Sequence, residues 1–185
     1  MKLTKLPLVA ALSLLVLSSN VWAQSTKRLI DEVNPFIGTS NFGTTNPGAV
    51  VPNGLMSITP FNVSGSPELN KFDKDKRWWS TPYTADNKFF SGFSHVNLSG
   101  VGCPELGSII VSASAGDLDV DYMHYGSAMS EEKAHPGYYS VQLDKHKIKA
   151  EVTATQRTAV SAFTFERGGK SNILVNLGLG LTNES

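Results

Sequence analysis

The sequence predicts an all-β fold, an antiparallel β-sandwich, from the alternation of its second half and the density of turn residues in its first half. In the second half, apolar and polar residues alternate in four successive runs, the period of a strand with one buried face. In the first half, proline, glycine and asparagine recur too often between residues 29 and 60 for a long helix to form. Strands and loops are therefore expected throughout the mature chain.

The first 23 residues have the features of a cleaved secretory signal. Two lysines precede an apolar run over residues 6–17, and Val21-Trp22-Ala23 provides small residues at the positions that a signal peptidase reads. The apolar run is shorter than the ~20 residues that a membrane-spanning helix needs. We expect the mature chain to begin near Gln24 and to be periplasmic or secreted.

The charge of the mature chain argues against a polyanionic partner. The sequence has 16 basic and 16 acidic residues, so loss of Lys2 and Lys5 leaves 14 basic against 16 acidic residues, a net charge of −2. Nucleic acids and anionic membranes attract basic surfaces, so neither is an expected partner. The single cysteine forms no disulfide framework, which leaves packing to stabilise the fold.

The region up to residue 87 is predicted as loops with one short strand, Leu55–Thr59. Turn sequences such as Asn46-Pro47-Gly48 and Pro52-Asn53-Gly54 precede that strand. Residues 62–87 form a second, polar loop, in which a charged run leads into Trp78-Trp79. These two tryptophans either wedge into the core or present a flat face to a ligand such as a sugar ring, and both interpretations stay open.

Four strands are predicted in the second half, separated by short polar turns, and together they are expected to form an antiparallel meander. One helical signal competes with them, since Ser130–Ala134 could form a single turn before His135-Pro136-Gly137 ends it. The inward positions of the four strands are Tyr139, Val141 and Leu143, then Ile148, Ala150, Val152 and Ala154, then Phe163 and Phe165, then Ile173, Val175 and Leu177.

The stretch Gly92–Gly107 concentrates the residues best suited to a functional site. It combines several glycines with His95, Asn97, the single cysteine Cys103 and Glu105. Glycines let a ligand approach the backbone closely, and short polar side chains supply donors and acceptors. A glycine-rich loop held only by side-chain to backbone bonds is the alternative interpretation.

Catalytic and metal-binding patterns are weak. His95 and Cys103 would act as base and nucleophile only within hydrogen-bond distance of each other, and a lone cysteine is more often a small buried residue. The four histidines lack the spacing of a zinc site. Asp117, Asp119 and Asp121 alternate as on one face of a strand, but a solvated edge fits them better than a calcium loop, which needs a glycine inside a tighter turn.

Four motifs occur in order along the mature chain: Val33-Asn34-Pro35-Phe36-Ile37-Gly38-Thr39, Pro47-Gly48-Ala49-Val50-Val51-Pro52-Asn53-Gly54, Gly92-Phe93-Ser94-His95 with Leu98-Ser99-Gly100-Val101-Gly102-Cys103, and Pro136-Gly137-Tyr138-Tyr139-Ser140-Val141. Together they resemble glycoside hydrolase family 92, whose members are secreted, exo-acting α-mannosidases. The resemblance runs from about residue 33 to residue 177. It implies an N-terminal β-sandwich domain, a following (α/α)₆ helical domain, an active site between the two, and calcium-dependent hydrolysis with inversion.

In that family the catalytic carboxylates and the calcium ligands belong to the helical domain, so the resemblance implies no catalytic or metal-binding residue in this chain. An inverting site needs two carboxyl groups roughly 6.5–9.5 Å apart, and the sequence identifies no such pair. We therefore expect residues 24–185 to form an N-terminal β-sandwich domain, incomplete at its C-terminal end and inactive alone. Its expected partner is its own C-terminal helical domain, which would bind the calcium.

The role that the resemblance implies for this domain is recognition of a mannose-containing glycan, with α-1,2 as the expected linkage. Aromatic faces can cover a sugar ring while polar groups bond its hydroxyls. Two other classes stay open: a carbohydrate-binding sandwich that binds sugar without hydrolysis, and a structural sandwich that packs on a partner through an exposed apolar face. The implied sugar-contacting residues are Phe36, Ser40, Trp78, Trp79, His95, Ser99, Gly102, Cys103 and Glu105.

Overall fold

The computed structural model describes residues 28–41, 43–63, 80–100, 106–166 and 168–181. A 3₁₀ turn spans Leu29–Glu32, and one turn of α-helix, α1, spans Tyr122–Tyr125. No helix within the described ranges is long and apolar enough to cross a membrane. The predicted secretory signal lies outside these ranges. The strands are β1 (Ala49–Val50), β2 (Ser57–Phe61), β3 (Phe89–Phe90), β4 (Gly92–His95), β5 (Ser108–Ala115), β6 (Ser127–His135), β7 (Tyr138–Leu143), β8 (Ile148–Ala154), β9 (Ala159–Phe165) and β10 (Ser171–Asn176).

Two antiparallel sheets pack face to face, which confirms the predicted β-sandwich. Sheet one has the order β1-β2-β4-β5-β10, and sheet two has the order β3-β6-β7-β8-β9. Strands β7, β8 and β9 follow one another as the predicted meander, with Ile148 opposite both Leu143 and Phe165. The fourth predicted strand, β10, leaves that meander because it pairs with β5 in sheet one.

The main core lies between the sheets and is formed by the alternating residues of their strands. On β8 the even-numbered residues are buried, whereas Lys149 and Thr153 are exposed. Phe93 of β4 makes edge-to-face contacts with Phe90 and Tyr139, with ring centroids 4.9 and 6.1 Å apart. Such aromatic pairs each add about 0.5–1.5 kcal/mol beyond the burial of their area.

A second, smaller apolar cluster lies on the opposite face of sheet one. Phe61 and Ile58 differ by an odd number of positions on β2, so Phe61 faces away from the main core that contains Ile58. Tyr122 of α1 and Leu181 pack against this cluster, which ties α1 and the last described residues to the sheet. The buried members of the cluster are Phe61, Val63, Ile110 and Leu179.

The competing helical signal at Ser130–Ala134 produces no helical turn, because these residues lie in β6, as the all-β prediction requires. The register between β6 and β7 shifts between Ser130 and Lys133, and Glu131 has a φ of 50°. This geometry is a β-bulge, which inserts an extra residue and re-aims the side chains beside it. The consecutive charged residues therefore suggested the start of a helix in the sequence, whereas the structure has a bulged strand at this position.

Beside the bulge, the Glu132 carboxylate is almost enclosed by polar partners. The phenol hydroxyls of Tyr83 and Tyr139 both donate to its Oε2 at 2.8 Å. Lys88 pairs with its Oε1. Burial is the main cause that raises the pKa of Tyr83 and Tyr139, and the adjacent Glu132 adds to the effect. The buried carboxylate is thus fully hydrogen-bonded, as a charge in a core must be.

Two further differences concern strand boundaries. The predicted strand Leu55–Thr59 is shifted, since β2 spans Ser57–Phe61. The backbone amides of Leu55 and Met56 both donate to the carbonyl oxygen of Gln156, which precedes β9, at 2.9 and 3.1 Å. These two residues are therefore not part of the β2 pairing. The two-residue strand β1 was not predicted, because it exists only through its pairing with β2.

The side chains on β10 that were predicted to be buried are exposed. Ile173 and Val175 are 57% and 59% exposed. Ile173 pairs with Ala113, a member of the main core, so both residues point to the inner side of sheet one. The inner surface of this sheet therefore continues beyond the part that the described strands of sheet two cover.

Candidate functional site

Three loops are joined to one another by hydrogen bonds beside sheet one, and they contain all the described residues that were predicted to contact sugar. The Asn41 amide donates to the Asp86 carboxylate at 3.0 Å, across 45 residues of sequence. The Gly100 amide donates to the Thr44 carbonyl oxygen at 2.6 Å. We call these loops the loop cluster: residues 36–46, 80–87 and 95–100.

The first loop is anchored by Phe36. Its ring packs partly buried against the main core and lies 6.5 Å from the ring of Tyr83. The chain then turns at Gly38, whose φ of 80° is in the left-handed region that favours glycine. The Thr45 hydroxyl closes the turn by donating to the Ile37 carbonyl oxygen at 2.7 Å. Ser40, just after the turn, is exposed.

The second loop is held by Asn62, whose side chain is fully buried. Its Nδ2 donates to the carbonyl oxygens of Thr84 and Asn87 at 2.8 and 2.7 Å, and its Oδ1 accepts from the Thr84 amide at 2.8 Å. Trp78 and Trp79 immediately precede this loop and lie outside the described residues. Asn62, which directly follows β2, therefore holds the second loop against the end of that strand.

The third loop begins at a bulge between β4 and β5, where the pairing register shifts between Phe93 and His95. His95 Nδ1 donates to the Ile109 carbonyl oxygen at 2.6 Å, which leaves Nε2 as the acceptor of the neutral ring. Val96 and Ile109 have φ values of 56° and 53°. β-Branched residues rarely adopt this conformation, and each instance costs of order 1–3 kcal/mol.

Asn97 holds the strained third loop in place. Its Oδ1 accepts from the Ser94 hydroxyl at 2.7 Å, and its Nδ2 donates to the Ser94 carbonyl oxygen at 3.0 Å. Its backbone N–H donates to the Ser57 hydroxyl at 2.6 Å. The sequence did not identify Ser57 as part of the site, because nothing local marks it: the contact spans 40 residues.

The structure places Phe36, Ser40, His95 and Ser99 in the loop cluster, so four residues chosen from distant parts of the sequence belong to one surface region. Ser40 and Ser99 are exposed, whereas Phe36 and His95 are partly buried. Their contact with sugar stays a prediction. The other five proposed contacts, which lie outside the described residues, are Trp78, Trp79, Gly102, Cys103 and Glu105.

The acidic run near α1 does not fit a calcium site. Asp119 Oδ1 accepts from the Asp121 amide at 3.0 Å and its Oδ2 pairs with His124 Nδ1 at 3.1 Å, while Asp121 caps α1. The backbone hydrogen bond is the main cause that lowers the pKa of Asp119. Asp117 pairs with Lys170. Within the described ranges, no group of three or more His, Cys, Asp and Glu residues is placed to hold a metal ion.

Comparison with known families and proteins finds a match over most of the chain. The family model "Glycosyl hydrolase family 92 N-terminal domain" matches residues 32–185. An uncharacterized secreted glycosidase from Arthroderma benhamiae is 29% identical over 178 residues, which cover 89% of this chain and 21% of that protein. The chain thus spans about a fifth of the length of this relative.

Solved structures of longer enzymes contain the same fold. A family GH92 α-mannosidase from Bacteroides thetaiotaomicron matches with a TM-score of 0.71 and 29% identity, over 82% of this chain and 20% of that one. The same enzyme is also solved in complex with mannoimidazole. The GH92 glycosyl hydrolase CcMan5 matches with a TM-score of 0.67 and 28% identity, over 83% of this chain and 21% of that one.

Proposed function

This chain belongs to glycosyl hydrolase family 92 through its N-terminal domain, and we propose that it is the substrate-recognition domain of a secreted, exo-acting α-mannosidase that removes mannose from glycans. The α-mannosidase at 29% identity and the secreted glycosidase at the same identity support this activity and localisation. The observation that carries the proposal is the loop cluster, because it brings the described residues of two separate segments that the family resemblance implies in sugar contact, those of Ser40 and of Ser99, into one hydrogen-bonded region.

Each described residue of the loop cluster has a chemical role in this proposal. The exposed hydroxyls of Ser40 and Ser99 donate to and accept from sugar hydroxyls, and the Nε2 of His95 accepts from one. The ring of Phe36 offers an apolar face at the base of the site, as sugar-binding sites commonly do. Because the loops are fixed to each other before sugar arrives, little ordering is required on binding.

Hydrolysis requires groups from outside this chain. Inversion, which the family resemblance implies, needs a general acid and a general base roughly 6.5–9.5 Å apart with water between them. In our proposal both carboxyl groups, and the calcium site that the resemblance also implies, belong to a following helical domain. The described carboxylates of this chain do not fit calcium, so we assign no step to the ion here.

The decisive experiment is release of mannose from α-1,2-linked mannobiose, with and without a calcium chelator. We compare this chain with the gene product extended through the following reading frame. Activity in the extended form alone, lost on chelation, is the expected result. Mannose binding without hydrolysis by the extended form would instead indicate a non-catalytic carbohydrate-binding sandwich, and neither binding nor hydrolysis would leave a structural domain.

The recognition role has its own test in the extended protein. Replacing Ser99 with alanine removes one exposed hydroxyl, so we expect mannoimidazole to bind about 2- to 10-fold more weakly, the value of one hydrogen bond. Ser171→Ala is the matched control, since Ser171 is an exposed serine on β10, in a part of the fold outside the loop cluster. Equal affinities of both variants and the parent would argue against Ser99 as a sugar contact.

A further inference from the structure

The bulge in β6 directs the side chain of Glu132 into the sandwich. Met129 belongs to the main core, and Glu132 bonds to the core residue Tyr139, although Met129 and Glu132 are three positions apart. On a regular strand, side chains three positions apart face opposite sides. The extra residue of the bulge therefore reverses the direction of Glu132. The strand departs from regular geometry at the point where it places a carboxylate between the sheets.

This buried carboxylate directs neighbouring groups more than it stabilises the core. The Glu132 side chain is 8% exposed. Removing a charge from water costs free energy that its partners return only in part, and apolar residues of similar volume often stabilise a core equally well. What Glu132 adds is direction, because its Oε2 accepts from two phenols that come from different segments. Tyr139 lies in β7 and Tyr83 lies in the second loop, so Glu132 ties that loop to sheet two.

The second loop in turn holds the backbone on both sides of Ser40. Before Ser40, the Thr39 carbonyl oxygen accepts from the Ala85 N–H at 2.8 Å. After Ser40, the Asn41 N–H donates to the Asp86 carboxylate at 3.0 Å. Ser40 itself is exposed. A shift of the second loop therefore shifts the exposed serine, although the two loops are far apart in sequence.

A continuous series of contacts thus leads from sheet two to Ser40. Tyr83 is fully buried, and it shortly precedes the two residues of the second loop that bond to the first loop. We propose that Glu132 is a positioning residue of the sugar site: through Tyr83 it fixes the second loop, and through that loop it fixes Ser40. This inference rests on the proposed function, since the sugar contact of Ser40 belongs to that proposal.

The two phenols allow a matched pair of variants, because each tyrosine is fully buried and each donates to the same oxygen at 2.8 Å. Tyr83→Phe and Tyr139→Phe are made in the extended gene product, and affinity for mannoimidazole is measured beside urea unfolding. We expect similar losses of stability. Mannoimidazole should bind about 3- to 10-fold more weakly to Tyr83→Phe, and less than about 2-fold more weakly to Tyr139→Phe. Equal affinities of the two variants, reduced or unchanged, would overturn the proposal.

Two substitutions of Glu132 separate its role from that of the phenol. Glu132→Gln keeps one oxygen that can accept from both tyrosines, while Lys88, which is 57% exposed, can turn to water, so affinity should stay within about 2-fold of the parent. Glu132→Met has no oxygen acceptor, so it should lose as much affinity as Tyr83→Phe. Combining Glu132→Met with Tyr83→Phe should bring no further loss. Additive losses in the double variant would overturn the proposal, because the two residues would then act independently.

Hydrogen exchange in the same samples distinguishes failure of this inference from failure of the proposed function. The N–H groups of Ala85 and Asn41 are bonded between the loops, so Tyr83→Phe should speed their exchange by about 3-fold or more, and Tyr139→Phe should not. A parent protein that binds no mannoimidazole would contradict the proposed function and leave this measurement intact. Unchanged exchange of both groups in Tyr83→Phe would overturn the positioning role even where sugar binds.

Discussion

Replacing Asn62 with alanine is expected to release the second loop of the loop cluster. The substitution removes three side-chain hydrogen bonds of 2.7 to 2.8 Å, to backbone groups of Thr84 and Asn87, at a fully buried site. At about 1 kcal/mol for each bond, the loss is roughly 3 kcal/mol. That is a large fraction of the 5–15 kcal/mol typical of a whole domain.

The assay is urea unfolding, supported by thermal melts in which roughly 3 kcal/mol corresponds to a fall of about 6–12 °C for a domain of this size. Asn172→Ala is the matched control, because its side chain makes only two longer bonds, of 3.3 and 3.1 Å, on the edge strand β10. Counted in the same way, the control loses at most about 2 kcal/mol, and less than that because its bonds are longer and one of them is exposed. Equal losses in the two variants would refute the assignment of Asn62 as the anchor of this loop.

Two other substitutions test the core. Burial raises the pKa of Tyr139 well above its ordinary value of 10.0, so the folded state favours the protonated phenol: its contribution is complete below about pH 10 and is lost as the pH rises further. Tyr139→Phe also loses the bond to Glu132, so it should be less stable than the parent by about 1 kcal/mol near pH 8. Between about pH 9 and pH 11 the variant should lose less stability than the parent. Urea midpoints of the two proteins that fall in parallel over this pH range would contradict this. Gly92→Ala should destabilise the fold by about 1–3 kcal/mol in thermal melts, because its Cβ would lie 2.3 Å from Ile110 Cγ2, whereas Gly168→Ala, with nothing within 4 Å, should be nearly neutral. Similar melting temperatures for these two variants would show that the contact with Ile110 relaxes freely.

The fold was predictable where each strand carries its own pattern. On β8, buried and exposed residues alternate in the sequence itself, and the neighbouring turns are short and polar, so local signals and tertiary structure agree. The pattern on β10 was equally clear, yet its sheet partner was not, because alternation identifies a strand without specifying what it pairs with. The bulge at Glu131 was hidden for a related reason. Its neighbours Glu132 and Lys133 are residue types that favour a helix, while the Tyr83 and Tyr139 hydroxyls that donate to Glu132 come from other segments of the chain.

The candidate site was predictable in its glycine-rich and exposed residues, but its supports were not. His95 and Ser99 belong to a stretch of unusual composition, which is a local signal. Asn62 and Ser57 look like ordinary polar residues at a strand end and within a strand. Their roles arise from contacts across 22 to 40 residues, and no sequence pattern reports such contacts.

Strain and support occur together at the third loop, since Val96 lies within it and Ile109 lies in β5, where its carbonyl oxygen accepts from His95. Val96 and Ile109 hold unfavourable backbone conformations that cost of order 1–3 kcal/mol each. The bonds of Asn97 to Ser94 and Ser57 are the contacts that can offset this cost, since net values near 1 kcal/mol for each bond sum to a similar size. If Asn97 loses these bonds, the strained conformation is no longer held, and the loop relaxes away from the Thr44 carbonyl that Gly100 now contacts. In the recognition role that we propose for Ser99, Asn97 therefore controls sugar affinity through the position of Ser99, without a contact of its own with sugar.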